Sequence, residues 1–248
     1  DLKNDVENLS STNSDSLEFP DLYFFQPKKI FLLKDDVLEM HYLHMVDDEI
    51  EEDFNEIEAI NINGEKEGDS SCGKVKISLR ITKDIYKKKV NKMLAHIHRG
   101  DIYEANFCQE FFSLGSCIDP LQTYSHLNAI SKPPFATFLK ISHQYLLSAS
   151  PERYLRKEGQ KIISQPIKGT AKRSKNTIED QKLINNLKND PKERSENIMI
   201  VDLVRNDLSR TAVKGSVTVE ELCKVYSFDQ VHQMISTVVS EIDTATSP

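Results

Sequence analysis

The sequence has few cysteines, and they follow no pattern that would tie them together. Its 248 residues include four cysteines, none of them in a Cys-x-x-Cys pair: Cys72, Cys108, Cys117 and Cys223. This spacing argues against a disulfide framework and against a zinc site. It is typical of reduced thiols in a cytosolic protein, so we expect free thiols and a cytoplasmic location.

Long apolar runs are also missing. No stretch approaches the ~20 apolar residues of a membrane-spanning helix, and no basic segment followed by an apolar core marks a secretory signal. The formal net charge of −7 argues against nucleic acid as a partner, because phosphate backbones are bound by basic surfaces. The hydrophobic content of 38% is enough for a packed core. We therefore expect a soluble globular protein that binds neither membranes nor nucleic acid.

The sequence suggests a division into a polar start, a small β region and a larger core. Residues 1–17 are rich in Ser, Asn and Asp, which predicts disorder or a loop. Residues 18–81 read as a small antiparallel meander, with strands predicted over Leu22–Phe25, Lys29–Lys34 and Val37–Leu43. Residues 82–248 carry the motifs described below. Since the chain starts without Met and ends abruptly, we expect a partial domain, truncated at both ends.

Helical and strand patterns alternate through the core. Apolar residues recur at helical spacing over Lys83–His98, and Asp190-Pro191 has the composition of a helix cap followed by a first helical residue. The mixture of short strands and scattered helices predicts the α+β class. Other predicted helices cover Pro120–Ser131, Asn176–Lys188, Pro191 to about Asn206, and Asp229–Ser240. Predicted strands cover Ile102–Phe112, Phe135–Ile141, Tyr145–Ser148 and Lys161–Gln165.

A charged tip between two strand-like segments is the most informative stretch. Ser148-Ala-Ser-Pro-Glu-Arg153 ends one segment, and Pro166-Ile-Lys-Gly-Thr170 ends the next. A hairpin between them would place Glu152 and Lys168 near one end of adjacent strands, where a carboxyl group and an amine can act as acid and nucleophile. On spacing alone a solvated surface ion pair is the commoner outcome, since most exposed charged residues have no chemistry.

Three further stretches accompany this tip, in a fixed order along the chain. They are Gly100-Asp-Ile-Tyr-Glu-Ala-Asn-Phe107, Asp190–Asp207 (DPKERSENIMIVDLVRND) and Val231-His-Gln-Met-Ile-Ser-Thr237. Together the motifs resemble the chorismate-utilising enzymes, a family that includes anthranilate synthase component I, aminodeoxychorismate synthase component I and the isochorismate and salicylate synthases. The resemblance implies two antiparallel β-sheets packed face to face with helices outside, a fold that would be incomplete in this chain.

The resemblance also implies catalytic roles. Glu152 matches the general acid that helps the C4 hydroxyl of chorismate to leave, and His232 matches a histidine beside that hydroxyl. Lys168 stands where the anthranilate and isochorismate synthases carry Ala and is similar to the lysine of the aminodeoxychorismate synthases. In those enzymes a desolvated, partly neutral lysine attacks C2 of the ring, and ammonia then adds at C4. Substrate binding is expected at the neighbouring residues Pro166, Ile167, Gly169 and Thr170.

The resemblance implies a magnesium site in the Asp190–Asp207 motif. Glu196 matches a metal ligand of the family, and Glu193 shares its helix face one turn earlier. Mg²⁺ takes oxygen ligands from carboxylates and substrate together.

Glu104 departs from the pattern of the isochorismate synthases, which weakens the case for water addition. Asp202, Arg205, Asn206 and Asp207 are expected to form a buried polar network.

The implied function is amination of chorismate to 4-amino-4-deoxychorismate in 4-aminobenzoate and folate biosynthesis, with ammonia from a glutamine amidotransferase partner. Three alternatives stay open: Lys168 as a mere counter-ion for substrate, anthranilate synthase component I, and a non-catalytic fragment that binds a partner. The family continues past the His232 segment with an Arg for the substrate carboxylate and a second metal Glu. Because the sequence lacks them, we expect the chain to be inactive alone.

Overall fold

The computed structural model describes residues 8, 10–60 and 74–242. The chain separates into two compact units, Asp1–Ile118 and Asp119–Pro248. The boundary predicted between residues 81 and 82 was drawn where the motif-bearing region begins and not from compactness. It stays a prediction. Within the polar start, residues 10–17 have no regular secondary structure, whereas residues 1–7 and 9 lie outside the described part.

Within its described residues, the first unit contains two small antiparallel sheets and two α-helices. The helix predicted over Lys83–His98 is confirmed, with Thr82 as its cap and Gly100 in a left-handed conformation at its end. No strand forms at Leu22–Phe25, and most of Ile102–Phe112 is irregular, because strand-type residues form a strand only where a partner strand lies alongside. The elements are β1 (Lys29–Lys34), β2 (Val37–Tyr42), a 3₁₀ helix (His44–Glu49), α1 (Ile50–Ala59), β3 (Ser78–Leu79), α2 (Lys83–Arg99) and β4 (Phe111–Phe112). β1 pairs with β2, and β3 pairs with β4.

The second unit carries a five-stranded antiparallel sheet with two helices packed on it. Its elements are α3 (Pro120–Ser131), β5 (Phe135–Ile141), β6 (Gln144–Ser150), β7 (Arg153–Glu158), β8 (Lys161–Gln165), β9 (Ile167–Lys172), α4 (Thr177–Asn189), α5 (Pro191–Ser209), β10 (Thr218–Ser227) and β11 (Val231–Glu241). β5 and β6 pair with each other in a separate two-stranded sheet, whereas β7 to β11 form the large sheet. The α+β class and its antiparallel sheets are confirmed.

The central strand β11 corrects one prediction. Residues 229–240 were expected to form a helix, but Val231–Glu241 is a strand in which residues 232–240 are all buried. A continuous buried segment cannot be assigned to helix or strand by periodicity alone. Its many β-branched side chains favour the strand once partners lie on both edges.

β11 is long enough to pair with two strands along one edge. β8 covers its end from Val238 to Glu241, and β9 covers its start from Val231 to Ile235. Pro166 lies between β8 and β9 and has no N–H to donate, but its carbonyl accepts a hydrogen bond from the Ser236 N–H at 3.2 Å. The two strands therefore continue one another, with a bulge in β9 between the Gln233 and Ile235 pairings.

The hydrophobic core lies between this sheet and helices α4 and α5. Each fully buried aliphatic side chain stabilises the fold by roughly 1.5–3 kcal/mol relative to exposure. One cluster consists of Ile162, Val201, Leu208 and Val238, and the other of Leu187, Cys223 and Met234. The predicted polar network at the end of α5 is wrong: Asp202 and Arg205 pair with each other at an exposed surface, and Asn206 and Asp207 are exposed as well.

The structure bears on two expectations drawn from composition, one about membrane-spanning helices and one about the cysteines. Among the described residues no helix is both long and apolar enough to cross a membrane. Cys108 and Cys223 are free thiols, but Cys117 is disulfide-bonded. The expectation of reduced thiols is therefore wrong for Cys117, because sequence spacing does not report which thiols folding brings together.

Candidate active site

Glu152 is held at the start of strand β9. Its N–H donates to the Ser150 hydroxyl at 3.2 Å, and its carboxylate Oε1 accepts a hydrogen bond from the Ile167 N–H at 3.0 Å. Ile167 directly precedes Lys168, so the structure brings the carboxyl group to the backbone beside the lysine. The hairpin that achieves this is β7–β8, whereas the predicted strand Tyr145–Ser148 belongs to β6 and pairs with β5.

Gly169 allows β9 to contact helix α5. Its φ of +95° is one that side chains rarely adopt, and an added Cβ would lie 3.0 Å from Glu193 Oε2 and 3.2 Å from Glu193 Cβ. This close approach joins two groups of predicted site residues that are distant in sequence. The Pro166–Thr170 segment and the Glu193 turn of α5 therefore lie against each other.

Helix α5 begins at a well-formed cap. Asp190 Oδ1 accepts hydrogen bonds from the N–H groups of Lys192 at 2.9 Å and Glu193 at 3.0 Å, with Pro191 in the first helical position. This confirms the predicted cap. Glu193 and Glu196 are three residues apart in this helix, so they share a face one turn apart.

A lysine already lies between these two carboxylates. Lys192 Nζ is 3.4 Å from Glu193 Oε1 and 3.0 Å from Glu196 Oε1. Hydrogen bonds to Glu196 and then Glu193 raise the pKa of Lys192. The pair can thus hold a cation, although no cluster of three or more metal-ligating side chains occurs within the described residues. Mg²⁺ is commonly bound by one or two protein carboxylates together with substrate oxygens and water, and this donor set fits that pattern.

Asn197 was not predicted as part of the site, but it is the buried link between its elements. Its side chain is fully buried, and Nδ2 donates to the Met234 carbonyl at 3.2 Å, with the Lys168 carbonyl at 3.5 Å. Its Oδ1 accepts from the Ser236 hydroxyl and from Cys223 Sγ at 3.6 Å. Asn is disfavoured inside helices, and that mismatch is the one signal by which the sequence could have marked it.

His232 lies on β11, fully buried, and both ring nitrogens have protein partners. Nε2 lies 2.8 Å from Asp180 Oδ1, and Nδ1 lies 2.8 Å from the Ser227 hydroxyl. Asp180 is held in turn by Arg173 and the Ser174 N–H, and these bonds keep the pKa of the carboxyl well below its usual range. The structure brings His232 to helix α4, whereas its predicted contact with substrate stays a prediction.

The sheet face opposite the helices lines a cavity of about 180 Å³. Arg153 lies over the Phe135 ring at 4.7 Å and donates from Nε to Gln165 Oε1 at 3.1 Å. Ile167, one of the predicted substrate-binding residues, also lines the cavity.

Glu104 belongs to the first compact unit.

The chain is similar in sequence to two kinds of known protein. Aminodeoxychorismate synthase component 1 of Escherichia coli is 40% identical over 162 residues, which cover 65% of this chain and 36% of that protein. An anthranilate synthase component I-like protein of Synechocystis is 32% identical over 94% of this chain and 48% of its own length. Both alignments span only about a third to a half of the relative.

The fold has a close counterpart among solved structures. Anthranilate synthase component I from Streptococcus pneumoniae superposes with a TM-score of 0.83 over 99% of this chain and 56% of its own, at 20% identity. At that identity the likeness establishes the fold. The family model for chorismate-binding enzymes matches residues 1–248, the whole of the chain. The chain therefore belongs to the family of chorismate-binding enzymes.

Proposed function

We propose that the protein containing this chain aminates chorismate at C4 and forms 4-amino-4-deoxychorismate. The observation that carries the proposal is Lys168 in the Pro166–Thr170 segment, with the Glu152 carboxylate held on the adjoining Ile167 N–H at 3.0 Å. The similarity to aminodeoxychorismate synthase component 1 of Escherichia coli, 40% over 162 residues, supports the same assignment.

The proposed chemistry uses two successive displacements. The Lys168 amine attacks C2, the ring double bonds shift, and the C4 hydroxyl leaves as water with a proton from Glu152. Ammonia then forms a bond to C4, the double bonds shift back, and the bond from C2 to Lys168 breaks. Glu152 takes back a proton from the ammonium group formed at C4. Chorismate and ammonia thus become the amino product and water, and both the lysine and the Glu152 carboxylic acid are regenerated.

Other parts of the chain would bind and orient the substrate. Gly169 lets the backbone come close to the ligand, and the Thr170 hydroxyl is suited to a carboxylate. Glu196 would bind Mg²⁺. Glu193 would bind a metal-bound water or fix the orientation of Glu196. Bound Mg²⁺ would neutralise charge on the substrate carboxylates.

His232 would act from within the sheet. Because Asp180 and Ser227 occupy both ring nitrogens, we propose that it positions the start of β11, rather than transferring a proton directly.

We also propose that a glutamine amidotransferase partner supplies the ammonia, and that the enzyme works in the cytoplasm in folate biosynthesis.

The second candidate is anthranilate synthase component I, which aminates chorismate at C2 with loss of pyruvate. The Synechocystis anthranilate synthase component I-like protein favours it, because its similarity extends over 94% of the chain. Lys168 argues against it, since a side chain of that size fills the space through which ammonia would reach C2.

Product analysis separates the two candidates. We expect the full gene product, incubated with chorismate, ammonia and Mg²⁺, to form 4-amino-4-deoxychorismate, identified by mass and retention. Without ammonia, intact-protein mass spectrometry should show an adduct that peptide mapping places on Lys168.

The variant Lys168→Ala tests the nucleophile. Loss of the amine should lower C4 amination on the order of a thousandfold and should yield isochorismate-like or anthranilate-like products substituted at C2. If no adduct forms and the variant still aminates C4 at the wild-type rate, Lys168 is only a counter-ion. Anthranilate from the wild type would instead support the second candidate.

A further inference from the structure

The ammonium group of Lys192 lies between the two carboxylates to which the magnesium site is assigned. Its Nζ is 3.0 Å from Glu196 Oε1 and 3.4 Å from Glu193 Oε1. An ammonium group carries a full positive charge and only hydrogen-bond donors, so one lysine can pair with both carboxylates. Like charges one turn apart on a helix destabilise it, and the lysine offsets that repulsion.

Two features make this contact easy to displace. Lys192 precedes Glu196 by four residues, and a lysine on the N-terminal side is the less favourable order for such a pair. Lys192 also belongs to the first turn of α5, where the helix dipole disfavours a positive charge. Because its side chain is 72% exposed and has a flexible stem, the ammonium can move into solvent.

The ammonium and a metal ion compete for the same oxygen. Mg²⁺ binds carboxylate oxygens directly, and Lys192 Nζ is already 3.0 Å from the Glu196 oxygen. Two positive charges held around one oxygen atom repel each other at short range. The lysine must therefore move away from Glu196 when the metal binds there.

We propose that Lys192 is an internal competitor of Mg²⁺, which pairs with Glu193 and Glu196 until the metal displaces it. The inference rests on the proposed function, in which Glu196 binds the metal. Since each Mg²⁺ ion that binds has to displace the ammonium, the lysine raises the Mg²⁺ concentration at which the site fills. Lys192 thereby sets the magnesium requirement of the enzyme without binding the metal itself.

Calorimetric titration of the full gene product with Mg²⁺ measures the competition. Lys192→Gln removes the ammonium and should tighten Mg²⁺ binding about two- to fivefold, the range expected for an exposed ion pair. Lys192→Arg keeps the positive charge and should bind Mg²⁺ no more tightly than the wild type, because a guanidinium also pairs with carboxylates. Lys182→Gln removes the same charge from an exposed lysine on α4 and should leave the affinity unchanged.

Thermal melts give a second measurement that does not depend on turnover. Without Mg²⁺, Lys192→Gln should melt at or below the wild-type temperature, because the two carboxylates lose their partner. At one fixed Mg²⁺ concentration, the metal should raise the melting temperature more in this variant than in the wild type, since tighter binding stabilises more. A purely structural role for Lys192 would instead lower the melting temperature equally with and without Mg²⁺.

The outcomes separate this inference from the proposed function. If the wild type binds Mg²⁺ and aminates chorismate at C4 while Lys192→Gln binds the metal no more tightly, the competition is wrong and the proposed function stands. Equally tightened binding by Lys192→Arg or Lys182→Gln also overturns it, because the charge between the carboxylates is then not what opposes the metal. If the wild type binds no Mg²⁺ with or without chorismate, the metal site of the proposed function is wrong, and this inference fails with it.

Discussion

The two faces of β11 are buried to nearly the same extent, yet they differ in chemistry. Side chains on the helix face are fully buried: His232, Met234, Ser236 and Val238. Those on the cavity face are 6–8% exposed: Gln233, Ile235, Thr237 and Val239. The helix face pairs its polar groups with Asp180, Ser227 and Asn197, whereas the Gln233 oxygen on the cavity face is unpaired within the described residues. Burial is therefore nearly the same on the two faces, and within the described residues the unpaired oxygen of Gln233 distinguishes the cavity face.

This contrast sorts mutations into two classes. Changes to groups whose bonds are complete within the protein should lower stability, and changes to groups that await a ligand should lower binding or turnover. The three predictions below test that division.

The largest effect is expected at the proposed metal ligand. Glu196→Gln keeps the size of the side chain but removes the charge that attracts Mg²⁺, so Mg²⁺-dependent turnover of the full gene product should be abolished while thermal stability stays unchanged. Lys192→Gln is the matched control, because it removes the ammonium between Glu193 and Glu196 and leaves both carboxylates. Its affinity for Mg²⁺ in calorimetry should equal or exceed that of the wild type. Normal Mg²⁺ dependence in Glu196→Gln would remove this residue from the site.

A smaller effect, on stability alone, is expected at Asn197. Its amide is fully buried and bonded to the Met234 carbonyl and the Ser236 hydroxyl. Asn197→Ala leaves these groups without their partner, so the free energy of unfolding should fall by about 3 kcal/mol. Asn206→Ala on the exposed side of the same helix should change it by less than about 0.5 kcal/mol. Denaturant titration measures both, and equal effects would break the division between the faces.

The smallest effect is a change in the pH dependence of stability at Asp180. Arg173, the Ser174 N–H and His232 lower the pKa of Asp180 in the folded protein. This stabilisation is complete above the unfolded pKa of about 3.9 and is lost as the pH falls toward the lower folded value. Asp180→Asn should therefore be less stable than the wild type at pH 7, and the difference should shrink below about pH 4. Thermal melts from pH 3 to pH 7 measure it, and a constant difference would show that the charge of Asp180 does not contribute.

Sequence patterns were reliable where the signal is local. The cap at Asp190 with its following proline marks a helix start by a side chain that bonds within three residues, and it formed as predicted. The strand Lys161–Gln165 and its end at Pro166 also formed as predicted, because proline has no N–H to donate to the ladder. The family was likewise readable from motifs of adjacent residues.

Tertiary structure alone decided which face each residue of the site occupies. Nothing local distinguishes β11 from a buried helix, and in a strand a shift of one residue moves a side chain to the opposite face. The fold places His232 against Asp180 of helix α4 and Gln233 on the opposite face of the sheet, and the expected contact of His232 with substrate stays a prediction. Asn197 became central only because β9, β11 and α5 meet around it. These hydrogen bonds join residues 29 and 37 positions apart. They depend on how the sheet and helices pack, and no short stretch of sequence encodes that packing.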